Sequence, residues 1–139
     1  MYIRIERGSS SPISRQIAEQ IRAQCLGGIL KPGSCLPSVR HLASEIAVNV
    51  NTIVRVYERL AAEGLVELRH GEGTFVLPPA KASSTGVELK EQREQFSREF
   101  GAAVRRGLLL GLTTAELRAM LTAAASEAKS MILKQTKSE

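Results

Sequence analysis

The sequence predicts a mainly α-helical chain with a small β-hairpin wing, followed by a two-helix hairpin. Three observations carry this. Three helical stretches with apolar stripes lie between residues 12 and 63, separated by capping and turn residues. Two short strand-like runs then flank a glycine-containing turn. After a small, polar stretch, two longer helical patterns meet at Gly111-Leu112.

Residues 2–5, Tyr-Ile-Arg-Ile, read as a short extended segment. Ser11 is expected to cap the first helix, with Pro12 at its first position, where a missing N–H costs nothing. Ile13, Ile17, Ile21 and Cys25 recur at intervals of four, so they share one apolar stripe. Gly27-Gly28 ends that helix, and Lys31-Pro32-Gly33 makes a turn. Ser38 caps a second helix, whose Val39, Leu42, Ala43 and Ile46 face inward.

The third helix carries the functional signal. Asn49 caps it and Gly64 stops it. Ile53, Val56, Tyr57 and Leu60 fall at i, i+3, i+4 and i+7 and form its buried face. Asn51, Thr52, Arg55, Glu58 and Arg59 fall on the opposite, polar face. Most of these side chains donate hydrogen bonds, which suits base edges and phosphates. Glu58 would repel phosphate, so it is expected to point past the backbone or to restrain Arg55 or Arg59. Leu65–Arg69 and Thr74–Leu77 are the two strands, joined by the turn His70-Gly71-Glu72-Gly73.

These elements give the order of a winged helix-turn-helix over residues 1–78. Residues 79–86 read as a linker, and 87–139 as a helical region. There Leu89, Phe96, Phe100, Ala103 and Val104 form one stripe, and Leu117, Leu121, Ala124, Ala128 and Ile132 a second. Thr113 and Glu116 form a capping box at the start of the last helix. Two helices cannot bury both stripes by themselves, so a second copy is the expected cover. Phe96, Phe100, Leu117, Leu121, Ala124 and Ala128 are the expected dimerisation residues. A monomer with the hairpin folded onto the head is the alternative.

Length and composition exclude much else. The 139 residues are too few for a doubly wound two-domain enzyme, and the chain is expected to hold no separate sensor domain. The net charge of +5 is shared: nine basic against seven acidic residues in 1–78, ten against seven in 79–139. Charge therefore gives weak guidance to an anionic partner. With 4% aromatics and no Trp, a single-strand stacking platform is poorly supported. Neither a secretory leader nor a membrane span is expected, and Cys25 and Cys35 read as reduced thiols of a cytoplasmic protein. No Cys/His cluster has zinc spacing, there is no Asp anywhere, and no nucleophile or phosphate-loop motif occurs. The expected protein is no enzyme and uses no metal or cofactor.

Several motifs, in order, resemble the head of the GntR family of bacterial transcription regulators. Pro12-Ile13-Ser14-Arg15-Gln16-Ile17 and Gly28-Ile29-Leu30-Lys31-Pro32-Gly33 begin the match. Leu36-Pro37-Ser38-Val39-Arg40-His41-Leu42-Ala43 and Val48–Tyr57 continue it, and Glu63-Gly64-Leu65-Val66 and His70–Val76 complete it. The short helical end further resembles the YtrA-like subfamily. The resemblance implies a DNA-binding regulator, a repressor in the first instance, that binds an inverted-repeat operator as a homodimer. It also implies a small-molecule effector, whose pocket would lie between hairpin and head or at the dimer seam. Arg40 matches a DNA-contacting arginine at the start of the second helix. Asn51, Thr52 and Arg55 match the reading face of the third, and His70 and Gly71 match the wing tip. Some relatives carry arginine where this chain has Val50 and Val54, so Arg55 is expected to carry more of the readout.

Chemistry gives these side chains distinct tasks. Arg40 and Arg55 can pair bidentately with guanine or with phosphate, and Asn51 can read adenine. Thr52 can bond phosphate or touch a thymine methyl. Gly71 lets backbone approach DNA without a Cβ. Arg59 is the DNA-binding candidate for which an ordinary solvated surface charge competes most evenly. The rival functional class is a winged helix used as an architectural or protein-interaction module, which would show no sequence preference.

Overall fold

The first helix starts where proline allows it. Pro12 takes an extended conformation (φ −56°, ψ 142°), and its carbonyl accepts from the Arg15 and Gln16 N–H groups at 3.0 Å. Helix α1 therefore runs Ile13–Leu26 with Pro12, not Ser11, as its cap residue, and no side chain caps it. The Ser11 carbonyl instead accepts from Gln16 Nε2 at 2.8 Å. The remaining elements are β1 (Cys35–Leu36), α2 (Val39–Glu45), α3 (Val50–Ala62), β2 (Val66–Arg69), β3 (Gly73–Val76), α4 (Ser84–Leu109) and α5 (Thr114–Thr136). The computed structural model describes residues 1–78 and 84–136.

The expected caps form. Ser38 accepts from the His41 N–H at 3.2 Å, and Asn49 accepts from the Asn51 N–H at 2.8 Å. Each satisfies a donor that the first helical turn leaves without an internal partner. Helices α1, α2 and α3 pack around Ile17, Ile21, Leu42, Ile53, Tyr57 and Leu60, all essentially without solvent contact. Ile13, Cys25, Val39 and Ile46 border this core and are only partly buried.

The wing has one strand more than the sequence shows. Strand β1 pairs antiparallel with β3 (Cys35 opposite Phe75, Leu36 opposite Thr74), giving the order β1-β3-β2. On the other edge Val66 faces Val76 and Arg69 faces Gly73. Alternation puts Leu36, Val66 and Val76 into the core. Glu67, Phe75 and Cys35 form a row across the opposite face.

The chain divides into two compact units, Met1–Gly86 and Val87–Glu139. The stretch expected as linker, 79–86, is helical over 84–86, because α4 begins at Ser84; 79–83 lie outside the described residues. In the second unit, α4 closes with Gly111 at φ +86°, and the Leu112 N–H returns to the Gly107 carbonyl at 3.1 Å. This is a left-handed helix cap, and it reverses the chain. Gly107 also lets the helices approach, since a Cβ there would lie 2.8 Å from Leu117 Cδ2. The capping box forms as expected: the Thr113 N–H donates to Glu116 at 2.7 Å, and the Glu116 N–H to Thr113 Oγ1 at 3.2 Å. No helix of the described residues is long and apolar enough to cross a membrane.

Candidate nucleic-acid interface

Helix α3 presents its two faces as the sequence demands. Ile53, Val56, Tyr57 and Leu60 are buried, while Asn51, Arg55, Glu58 and Arg59 are exposed and Thr52 is half-buried. Val50 begins the helix next to Asn51 and is 42% exposed. Val54 is half-buried. The helix is pinned along its length. In its middle, the Tyr57 hydroxyl donates to the Pro37 carbonyl at 2.8 Å, which ties it to the entry of α2. At its C-terminal end, Glu63 accepts both from Arg22 of α1, at 2.6–2.9 Å, and from Arg59 at 3.1 Å.

This last contact removes one of the alternatives expected for Glu58. The carboxylate that restrains Arg59 is Glu63, one turn on, and not Glu58. Residues four apart on a helix are neighbours, so the pairing is local. Arg59 is thereby engaged at the end of α3 away from Asn51 and Thr52. Arg55 carries no ion pair among the described residues, and neither does Arg40, exposed in the first turn of α2.

At the wing tip, His70 and Gly71 are exposed, and Gly71 adopts φ +77°, a left-handed conformation that favours glycine. The Glu72 N–H closes the turn on the Arg69 carbonyl at 3.1 Å. Sequence reasoning passed over Arg69. Its guanidinium lies 4.6 Å above the Phe75 ring and pairs with Glu67 at 2.8 Å. The strand register could have shown this, since Glu67 faces Phe75 and Arg69 is two residues on along the same face. Among the described residues no group of His, Cys or Glu is placed to hold a metal ion.

Among its described residues, the second unit leaves most of its large apolar side chains exposed. Phe96 is 66% exposed and Leu121 51%; Phe100, Ala124 and Ala128 are also exposed, and Leu117 is half-buried. The Phe96 and Phe100 rings stack with centroids 6.1 Å apart. A cavity of about 890 Å³ lies between α4 and α5, lined by Phe100, Leu117, Leu121, Ala124 and neighbours, with Arg106 and Arg118 among them. Phe96 and Ala128 are not part of that lining.

Known proteins share this organisation. Residues 13–76 match the family model described as bacterial regulatory proteins, gntR family. The chain is 42% identical over 94 residues to the HTH-type transcriptional repressor YtrA of Bacillus subtilis (strain 168), covering 68% of this chain and 72% of that protein. It is 39% identical over 110 residues to the HTH-type transcriptional regulator YhcF of the same organism, covering 78% of this chain and 86% of that one. Among solved structures, YtrA from Sulfolobus acidocaldarius, a GntR-family transcription factor, matches with a TM-score of 0.51 at 28% identity. That match covers 91% of this chain and 99% of the other. The chain belongs to the GntR family of bacterial regulatory proteins, in its YtrA-like branch, and is a DNA-binding transcriptional regulator.

Proposed function

We propose that the protein is a cytoplasmic repressor that binds an inverted-repeat operator as a homodimer and is released by a small-molecule effector. The observation that carries the DNA reading is the outward face of α3. Asn51 and Arg55 are exposed there, one turn apart, while the opposite face is locked into the core. The major groove admits a helix with that presentation. Asn51 and Arg55 read base edges, and Thr52 and Arg40 fix the register on phosphate or base. His70 and Gly71 bring the wing tip to the duplex. Arg59, held by Glu63, supports the helix end and adds positive charge rather than reading bases.

The dimer reading is supported by the second unit. Its large apolar side chains stay exposed along both helices, and the buried apolar core of the described residues lies wholly within 1–76. Exposed large apolar side chains in this number are the usual mark of an interaction surface. Covering it with a second copy places two reading heads related by a two-fold axis. Half-site centres then lie one helical turn, or a multiple of it, apart. The domain division follows: 1–78 reads DNA, and 87–139 dimerises. The effector reading is supported by the cavity of about 890 Å³ on the same face, where a bound ligand would act on the dimer.

Arg55→Ala tests the DNA reading. Losing one bidentate base contact should cost about 1–3 kcal/mol on the preferred site and relax preference at one base step. Titration and footprinting on matched and altered duplexes measure both. Unchanged affinity and preference would remove Arg55 from the reading face.

A further inference from the structure

The turn between α2 and α3 contains Ala47 at φ +52°, the one non-glycine residue with positive φ among the described residues. The Val48 N–H returns to the Ala43 carbonyl at 2.9 Å and the Ala47 N–H to Ser44 at 3.3 Å, so α2 ends in a left-handed cap. Glycine or asparagine usually occupies that position, because a Cβ there crowds the backbone. Three residues later α3 begins, so the conformation of Ala47 sets how the reading helix leaves the turn.

Arg7 acts on this residue from a distance of forty positions. Its Nη2 donates to the Ala47 carbonyl at 3.0 Å. No carboxylate among the described residues pairs with Arg7. Arg7 is itself held in place. The preceding Glu6 is bonded through both backbone groups to Gln16, at 2.9 Å and 3.1 Å. Gln20 treats Arg4 in the same way, and Gln24 treats Tyr2. The N-terminal segment is thus laid along α1 and delivers one guanidinium to the one strained alanine.

We propose that Arg7 is a positioning residue for the reading helix: it braces Ala47 in its left-handed conformation and so fixes the start of α3. The proposal rests on α3 being the element that reads DNA. Without the brace the strained turn relaxes, and Asn51 and Arg55 lose their register. Glycine at position 47 would remove the strain and make the brace dispensable.

The experiment uses the full-length chain as wild type, Arg7→Ala, Ala47→Gly and the double variant. Amide exchange at Val48 is read without DNA. Arg7→Ala should speed it about two- to threefold, because water competes for this exposed bond, and the double variant should return to the wild-type rate. Affinity for a duplex selected by the wild type should fall and recover in parallel, with an unchanged dependence on salt. Unchanged exchange in Arg7→Ala overturns the brace. Affinity lost without rescue by glycine, with the salt slope falling by about one, overturns it too and makes Arg7 a direct phosphate contact. A wild type that selects no duplex defeats the DNA reading instead, while exchange at Val48 still decides whether Arg7 braces Ala47.

Discussion

Gln24 binds both backbone groups of Tyr2: its Oε1 accepts from the Tyr2 N–H at 2.8 Å, and its Nε2 donates to the Tyr2 carbonyl at 2.6 Å. Gln20 and Gln16 repeat the arrangement on Arg4 and Glu6. A strand next door would offer the same donor and acceptor, so three glutamines on one helix do the work of a β-edge. This gives the extended start of the chain its partners and lets Met1 bury in the core.

Gln24 is buried, so its loss should be felt most. Gln24→Ala leaves two backbone groups without partners and should cost about 1–3 kcal/mol in urea unfolding. Gln20→Ala, at a more open position, should stay within about 0.5 kcal/mol because water replaces the amide. Equal effects would contradict the burial argument.

Tyr57→Phe removes the hydroxyl's bond to the Pro37 carbonyl and should cost about 1 kcal/mol of stability. Because that bond ties α3 to the entry of α2, operator affinity should fall beyond the effect of Gln20→Ala. Thermal unfolding and a DNA titration measure the two effects. A destabilised variant with undiminished affinity would show that the tie does not orient α3.

The two cysteines should differ in reactivity. Burial pushes the Cys25 thiol up to about 11, so at neutral pH it stays protonated and shielded. Cys35 is exposed at the edge strand of the wing. Timed alkylation read by mass spectrometry should label Cys35 first and Cys25 only on unfolding. Simultaneous labelling would contradict the packing of α1.

Acid should loosen the start of α5. The Thr113 N–H, and then its hydroxyl, hold the Glu116 carboxyl below the ordinary glutamate value. A depressed folded value means the contribution is present above the unfolded value and fades as pH falls through the folded one. Relative to its intrinsic rate at each pH, the Thr113 amide should therefore lose protection as the Glu116 carboxyl protonates in the wild type. Glu116→Gln should show no such step; a step of the same size in that variant would assign it elsewhere.

Leu121→Glu places a charge in the middle of the exposed stripe of the second unit. Light scattering should give the wild type the mass of two chains and the variant that of one, while helix content stays near wild type. A mass unchanged from wild type would argue against an interface centred on Leu121.

What the sequence made legible is local. The α3 faces followed from spacing alone, and Ser38, Asn49 and Thr113 could be identified as caps because each acts within three residues. Ser11 misled for a local reason as well: Pro12 takes an extended ψ, which moves the start of α1 by one residue. Strand β1 was not legible, because two residues carry no period and Cys35 finds Phe75 forty positions on. The Glu63 bridge to Arg22 and the Arg7 bond to Ala47 are equally long-range. The glutamine spacing at 16, 20 and 24 was visible, but its partner was a segment with no regular structure. The apolar stripes of α4 and α5 were legible as stripes, and the exposure of much of them in the single chain supports the proposed second copy.

Sequence reading of duplex DNA by α3 is open to a direct test. The direct measurement is selection of bound duplexes from a random pool by the wild type and by Arg55→Ala, at fixed salt. The wild type should enrich an inverted repeat, with preference relaxed in Arg55→Ala at one symmetric pair of positions. Binding with no enriched sequence, or an identical motif from both proteins, would contradict it.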